Sequence, residues 1–365
     1  MRPFIASFLL LLSIWAIGAN DATRILELSA DGTPSEIRSL FMFSDGVNVR
    51  GTWYVDPIDS TVSGATPLMI AALEQNDPEA VRVLIEVGGN VNGRSDELTT
   101  PLMFSAMNEN PRIVTILLDA GAEIAAVDDY GWTSLFIAAG YNTNPEILSR
   151  LLEAGAEVDA RDDYGWTPLM SAAWYNENPE VITALLEAGA EIDARDEDGW
   201  TPLMYAARYN ENPAVITALL EAGAEVDARS DYSWTPLMYA ARFSENPEVI
   251  TALLEAGAEI DARSADGLTP LMLAGLNSIV NIATVLLKAG AEVDARSADG
   301  LTPLMYAARE NENPNIIMEL LAFGADGQII DPEGKNAFAY AENNDQIKGT
   351  AAYWALNDAR FNDRQ

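Results

Sequence analysis

Histidine and cysteine are both absent from this chain of 365 residues, and Lys and Arg together number 21 against 56 Asp and Glu. Without His or Cys there is no zinc site of the usual kind, no thiol nucleophile, and no Ser-His-Asp or Cys-His constellation. No Asn-x-Ser/Thr acceptor for N-glycosylation occurs, which is in keeping with a bacterial source. The shortage of basic residues leaves a net charge of −35. Such a field repels nucleic-acid phosphates and anionic membrane surfaces, and favours solubility and basic or mixed-charge partners. No nucleic-acid partner is expected.

What is present begins with the N-terminus. Met1-Arg2-Pro3 is a short basic start, Phe4 to Ile17 is a nearly continuous apolar run, and small residues follow at Gly18 and Ala19. That is the pattern of a secretory signal peptide over residues 1–19, cleaved after Gly18 or Ala19. The run is shorter than the ~20 apolar residues of a spanning helix, so the mature chain is expected to be exported, to a periplasm or the medium, without membrane insertion. No Cys follows it for lipid attachment.

Beyond that point the chain repeats. Thr-Pro-Leu or a close variant begins at Thr66, Thr100, Thr133, Thr167, Thr201, Thr235, Thr269 and Thr302, in steps of 34, 33, 34, 34, 34, 34 and 33 residues. A fixed period of that size defines a solenoid, in which one supersecondary unit is copied and buries its apolar side only against its neighbours. In the copy from Trp200 to Arg229, Thr201 is placed to N-cap a helix with Pro202 at its first position. Leu203, Ala206 and Ala207 give that helix a small apolar face. Asn212 caps a second helix opened by Pro213, whose buried stripe is Val215, Ile216, Leu219 and Leu220. Gly223 stands where a left-handed residue ends the helix, and Asp231 to Ser233 turn into Trp234 of the next copy.

This unit resembles the ankyrin repeat closely, through Trp-Thr-Pro-Leu-Met, the Ala-Ala pair, Leu-Leu-Glu-Ala-Gly-Ala and the Asp-Ala-Arg finger, over nearly all of the chain after residue 20. The resemblance implies an all-α repeat solenoid, an ankyrin-type stack of helix-turn-helix units with β-hairpin fingers. Two departures from the family stand out. Where ankyrin repeats usually carry a His that hydrogen-bonds along the stack, this chain has Met69, Met103, Met170, Met204, Met238, Met272 and Met305, with Phe136 in one copy. A buried thioether and aromatic stripe is expected in place of the polar ladder. The inter-helix loop Asn-Glu-Asn-Pro also carries one extra residue.

The ends differ, since each needs a polar outer face. The array is divided into an N-terminal cap over residues 20–65, repeats over 66–335, a C-terminal cap over 336–358 and a tail over 359–365. Thr33-Pro34-Ser35-Glu36 is a capping box opening a helix through Phe41, after a short helix around Ile25 to Leu28. Gly51 to Val55 and Ser60 to Ser63, turning at Asp56-Pro57, predict an extended hairpin.

Chemistry is sought in three places. The finger Ala194 to Gly199 resembles the front of a calcium loop, but aligning Gly199 with the invariant glycine puts Ala194 and Tyr205 where Asp and Glu are required. No metal and no cofactor are expected. Asp159, Asp193, Asp227, Asp261 and Asp294 lie two residues before Arg161, Arg195, Arg229, Arg263 and Arg296. They predict ladders of surface ion pairs worth ~0–1 kcal/mol each. An open wall of identical, solvated carboxylates lacks the distinct environments that a general acid and base need, so no enzyme is expected.

Variation between near-identical copies concentrates at the finger tip and the end of the first helix, positions that line the concave groove in ankyrin arrays. The fingers carry Tyr130, Tyr164 and Tyr232 with the row Trp132, Trp166, Trp200 and Trp234, and the helix ends carry Trp174-Tyr175, Arg208-Tyr209 and Arg242-Phe243. Tyr, Trp and Arg are enriched at binding hot spots. Nothing in the repeat requires a bulky aromatic at the helix end, whereas the Trp row also suits packing between fingers. The helix-end pairs should form one strip over three layers, with Trp174 and Tyr209 exposed. The reading is an exported, non-enzymatic, monomeric scaffold that binds a protein on its concave face. The alternatives are a glycan or cell-wall binder using the Trp row, and a structural spacer.

Overall fold

The computed structural model describes residues 22–41, 46–55 and 60–361. The expected signal peptide and the hairpin turn at Asp56-Pro57 lie outside the described residues. The described residues divide into two compact units, one running up to Ala172 and including Thr183–Ala190, the other made of Ala173–Ile182 and the residues from Glu191 onward.

Each repeat supplies two short helices. The first helices are Pro67–Glu74, Pro101–Ser105, Ser134–Tyr141, Pro168–Tyr175, Pro202–Tyr209, Pro236–Phe243, Pro270–Ala274 and Pro303–Glu310. The second are Pro78–Glu86, Pro111–Asp119, Pro145–Glu153, Pro179–Glu187, Pro213–Glu221, Pro247–Glu255, Val280–Lys288 and Asn315–Ala322. Local chemistry sets their ends. The Thr201 hydroxyl accepts the Met204 N–H at 3.4 Å and Asn212 Oδ1 accepts the Ala214 N–H at 3.0 Å, each satisfying an orphan donor of the first turn. Gly223 closes the second helix at φ +99°.

The methionine stripe is buried throughout, and in three repeats it has a further role. The N–H of Thr66, Thr100 and Thr269 points at the sulfur of Met69, Met103 and Met272, at 3.3, 3.4 and 3.5 Å. There the thioether fills the place that Glu or Gln takes in a capping box. The stripe stands at that position as expected, and a separate polar ladder runs along the inter-helix loops. Asn210 is buried at the mouth of the inter-helix loop and donates back to the Ala173 and Asn176 carbonyls at 3.1 and 2.8 Å, while its Oδ1 accepts the Asn212 N–H. Asn108, Asn142, Asn277, Asn311 and Asn344 make the same two backward bonds. The second asparagine of the loop caps its helix and also donates to the preceding repeat, Asn212 to the Glu177 carbonyl at 2.7 Å. Where both asparagines are present, as at Asn108-Asn110 and Asn210-Asn212, the pair ties its layer to the one before, in a 33-residue repeat as well as in a 34-residue one.

The Asp–Arg surface pairs are corrected. Asp193, Asp227, Asp261 and Asp294 accept backbone N–H groups of the following repeat, from Glu225, Glu259, Glu292 and Asp326 at 2.8–3.0 Å. Arg195, Arg229 and Arg263 reach forward to the carbonyls of Arg229, Arg263 and Arg296 at 2.6–2.7 Å. Side chains of both signs thus bond to backbone one layer on, which fixes the register of the fingers more firmly than exposed ion pairs do.

The fingers are tight turns. The regular strands among the described residues are Gly51–Val55 and Ser60–Ala65, antiparallel with Trp53 opposite Val62, so the hairpin runs two residues further than expected. Arg50 anchors it, pairing with Asp96 at 2.7 Å and donating to the Arg94 carbonyl. Ala22–Asp31 and Pro34–Phe41 form the first helix pair, the second opened by the Thr33–Glu36 capping box, while Ala337–Ala341 and Ala351–Ala359 form the last. In that last pair Phe338 and Tyr353 lie 4.8 Å apart, centroid to centroid. Among the described residues no helix is long and apolar enough to cross a membrane.

Candidate functional site

A side chain at the start of each turn folds the finger, an aspartate in some repeats and a serine, such as Ser230 or Ser264, in others. Asp196 Oδ1 accepts the N–H of Asp198 and of Trp200, at 3.0 and 2.7 Å, and Gly199 between them sits at φ +74°. Asp128 and Asp162 do the same for Tyr130-Trp132 and Tyr164-Trp166. The aspartates that suggested a calcium loop are thus engaged in holding turns, and no cluster of three metal-ligating side chains occurs among the described residues. The turn aims the tryptophan inward and leaves the tip tyrosines, Tyr130, Tyr164 and Tyr232, in solvent.

In the second unit the aromatic residues form one continuous patch. Trp174 stacks on Tyr209 of the next layer at 3.9 Å with the planes 3° apart, and lies 5.0 Å from Tyr175. Trp200 touches Tyr205 and Tyr239 at 5.0 and 4.2 Å, and Trp234 touches Tyr239 and Phe243 at 5.1 and 6.4 Å. The Arg208 guanidinium carbon lies 3.9 Å from the centre of Phe243, 4.8 Å from Tyr209 and 5.4 Å from Trp200. Arg242 stands 5.1 Å from Phe243. Such cation–π contacts hold a guanidinium without neutralising it. The buried Arg208 Nε has no hydrogen-bond partner.

The structure brings Trp174, Tyr175, Arg208, Tyr209, Arg242 and Phe243 together. Their exposure is corrected. Tyr175 and Phe243 are exposed, but Trp174 and Tyr209 are half-buried because each covers the other. Truncating either one uncovers its neighbour's ring, so it lowers stability as well as removing surface. Trp132, Trp166, Trp200 and Trp234 are also half-buried. Trp132 rests on the buried Phe136 at 4.8 Å and donates its indole N–H to Asp162 Oδ2 at 3.1 Å.

Sequence reasoning missed the tyrosine after Thr-Pro-Leu-Met. Tyr205 and Tyr239 are 5% and 3% exposed and form the floor of the patch. Their hydroxyls return to the finger nine residues earlier, Tyr205 donating to Asp196, and Tyr239 bonding to Ser230 Oγ at 3.1 Å. Tyr340 donates to Asp331 in the same way. That hydrogen bond holds the Asp331 carboxyl below the ordinary aspartate range, while burial and the adjacent carboxylate push Tyr340 up to about 12. Burial likewise raises Tyr239. The spacing of Tyr from the finger Asp or Ser was the available signal.

A three-copy ankyrin repeat family model, "Ankyrin repeats (3 copies)", matches residues 37–128, 120–196, 173–264, 232–297 and 271–350. The chain belongs to the ankyrin repeat family, whose members are generic protein–protein interaction modules and are typically not enzymes. The ankyrin repeat domain of human ASB11 is similar in structure, at 30% identity and a TM-score of 0.56, over 62% of this chain and 99% of that one. A segment of 66 residues is 39% identical to the Schizosaccharomyces pombe (strain 972 / ATCC 24843) glycerophosphocholine phosphodiesterase gde1. That match covers 18% of this chain and 6% of the relative's length, and it lies within the repeats.

Proposed function

We propose that this chain is an exported, non-enzymatic scaffold that binds a protein partner through the strip from Trp174 to Phe243. One observation carries the reading: the Arg208 guanidinium is held against the Tyr209 and Phe243 rings, which leave its charge unneutralised. With Arg242 beside it, the strip offers rigid aromatic area around two cations inside a molecule of net charge −35. A partner surface complementary to it is apolar, carries acid at its centre to meet the arginines, and is basic at its rim. Export rests on the pattern of Met1 to Ala19. The Trp row contributes packing between layers, so the protein reading is favoured over sugar stacking.

The test begins with crosslinking in the source cell envelope, followed by binding measurements on the recovered partner. Tyr175→Ala and Phe243→Ala remove exposed rings and should each weaken the complex by about 2 kcal/mol if they are hot spots. Unchanged affinity in both variants would remove the strip from the interface. The mature N-terminus, read from protein taken from its native host, should be Ala19 or Asn20. Intact Met1 on soluble cytoplasmic protein would end the export reading.

A further inference from the structure

In the first unit the finger ending at Trp132 is built unlike Asp196's finger. The position nine residues after Asp128 holds Ile137, which has no hydroxyl to return to the carboxylate. In place of that contact there is a cavity of about 150 Å³, bordered by Tyr130, Trp132 and Tyr141 and by the side chains of Glu97 and Asp128. The Tyr130 and Tyr141 rings lie 5.9 and 6.4 Å from the Trp132 indole, inclined to it by 45° and 33°. Glu97 Oε1 accepts the Ser63 N–H at 3.1 Å, while its Oε2 is buried with no partner. None of the lining residues is basic.

We propose that this cavity binds an alkylammonium head group, either the quaternary ammonium of a small organic cation or a methylated lysine side chain of a partner. The proposal concerns a different site from the Trp174–Phe243 strip and stands independently of it. Three aromatic rings and two carboxylates border one space, a combination that favours a weakly hydrated organic cation. A calcium or magnesium ion wants six or more oxygens, which aromatic walls do not supply. The volume suits a head group, whereas pockets for drug-sized ligands begin near roughly 300 Å³. The Glu97 carboxylate has no cationic partner among the lining residues, and its charge attracts a bound cation without needing a hydrogen bond to it. Burial, then the neighbouring charges of Asp129 and Asp162, raise the pKa of Asp128 against the pull of its backbone hydrogen bonds.

The test is calorimetric titration of the full chain with choline and with its uncharged carbon isostere, dimethylbutanol. Choline should saturate one site per chain, at least about tenfold more tightly than the alcohol. Glu97→Gln should weaken choline about tenfold by removing one charge. Tyr130→Ala should weaken it as well, while leaving the melting curve in place, because Tyr130 is 61% exposed. A peptide with one trimethyllysine, run beside its unmodified form, distinguishes the sources. Tighter binding of the trimethyllysine peptide than of choline assigns the site to a partner side chain, and the reverse assigns it to a free cation. Equal binding of choline and the alcohol, or parental affinity in both variants, would overturn the proposal.

Discussion

Asp128 and Asp331 hold the same position in their fingers, yet their surroundings shift their pKa values in opposite directions. Both fold the turn by accepting two backbone N–H groups, at 2.8–2.9 Å. One difference lies nine residues on. Tyr340 gives Asp331 a hydroxyl, which stabilises the charged form, whereas Ile137 gives Asp128 none and burial disfavours the charge. A finger carboxylate is therefore held in its charged form where a tyrosine hydroxyl reaches it, and is a weaker acid where burial outweighs its backbone hydrogen bonds. Burial and neighbouring charge add to the contrast: Asp129 and Asp162 raise Asp128, while Lys335 lowers Asp331.

The strongest way to break the contact with tyrosine is Tyr205→Phe. It removes the donor to a charged partner and should cost about 2 kcal/mol. Because a repeat array need not unfold in one step, the loss is best read as faster hydrogen exchange at the Asp198 and Trp200 amides, which Asp196 holds. Unchanged protection there would mean that the hydroxyl does not support the finger.

Supplying the missing hydroxyl is the reciprocal experiment. Ile137→Tyr should place a hydroxyl near Asp128 and fill the cavity, raising stability by about 1 kcal/mol and abolishing choline binding. A crystal structure of the variant with the new ring turned out to solvent would show that the backbone, and not the side chain, sets the difference.

The smallest effect is a pH dependence of opposite sign. Asp331 has a lowered folded pKa, so its contribution to stability is present above the ordinary value of 3.8 and is lost as pH falls through the folded value. Asp128 has a raised one, so the folded state is penalised above its folded pKa and the penalty disappears below 3.8. Asp331→Asn should therefore lower the melting temperature at neutral pH, and Asp128→Asn should raise it. The two differences should shrink together in acid. Parallel shifts of the same sign at neutral pH would contradict the comparison.

Part of this was legible in the chain itself. The helix boundaries follow from Thr-Pro and Asn-Pro caps, and the inward methionine stripe follows from its period. The aromatic and cationic residues of the strip stand out because they vary between otherwise identical copies. The asparagine ladder was not legible in this way. Asn210 and Asn212 look alike in sequence, yet Asn210 is buried and reaches two carbonyls of the previous layer, while Asn212 caps a helix. The exposure of Trp174 was misjudged for the same reason, since its cover, Tyr209, belongs to another repeat.

The sequence by itself determined the period, the repeat family, the caps of each helix and which positions are free to vary, because these depend on residues within one turn or one repeat. The tertiary structure decided which polar groups are paired and which rings are covered, and that one finger encloses a cavity. Those outcomes depend on residues about 34 positions apart meeting across a layer, and in Asp128's finger on a hydroxyl that Ile137 cannot supply.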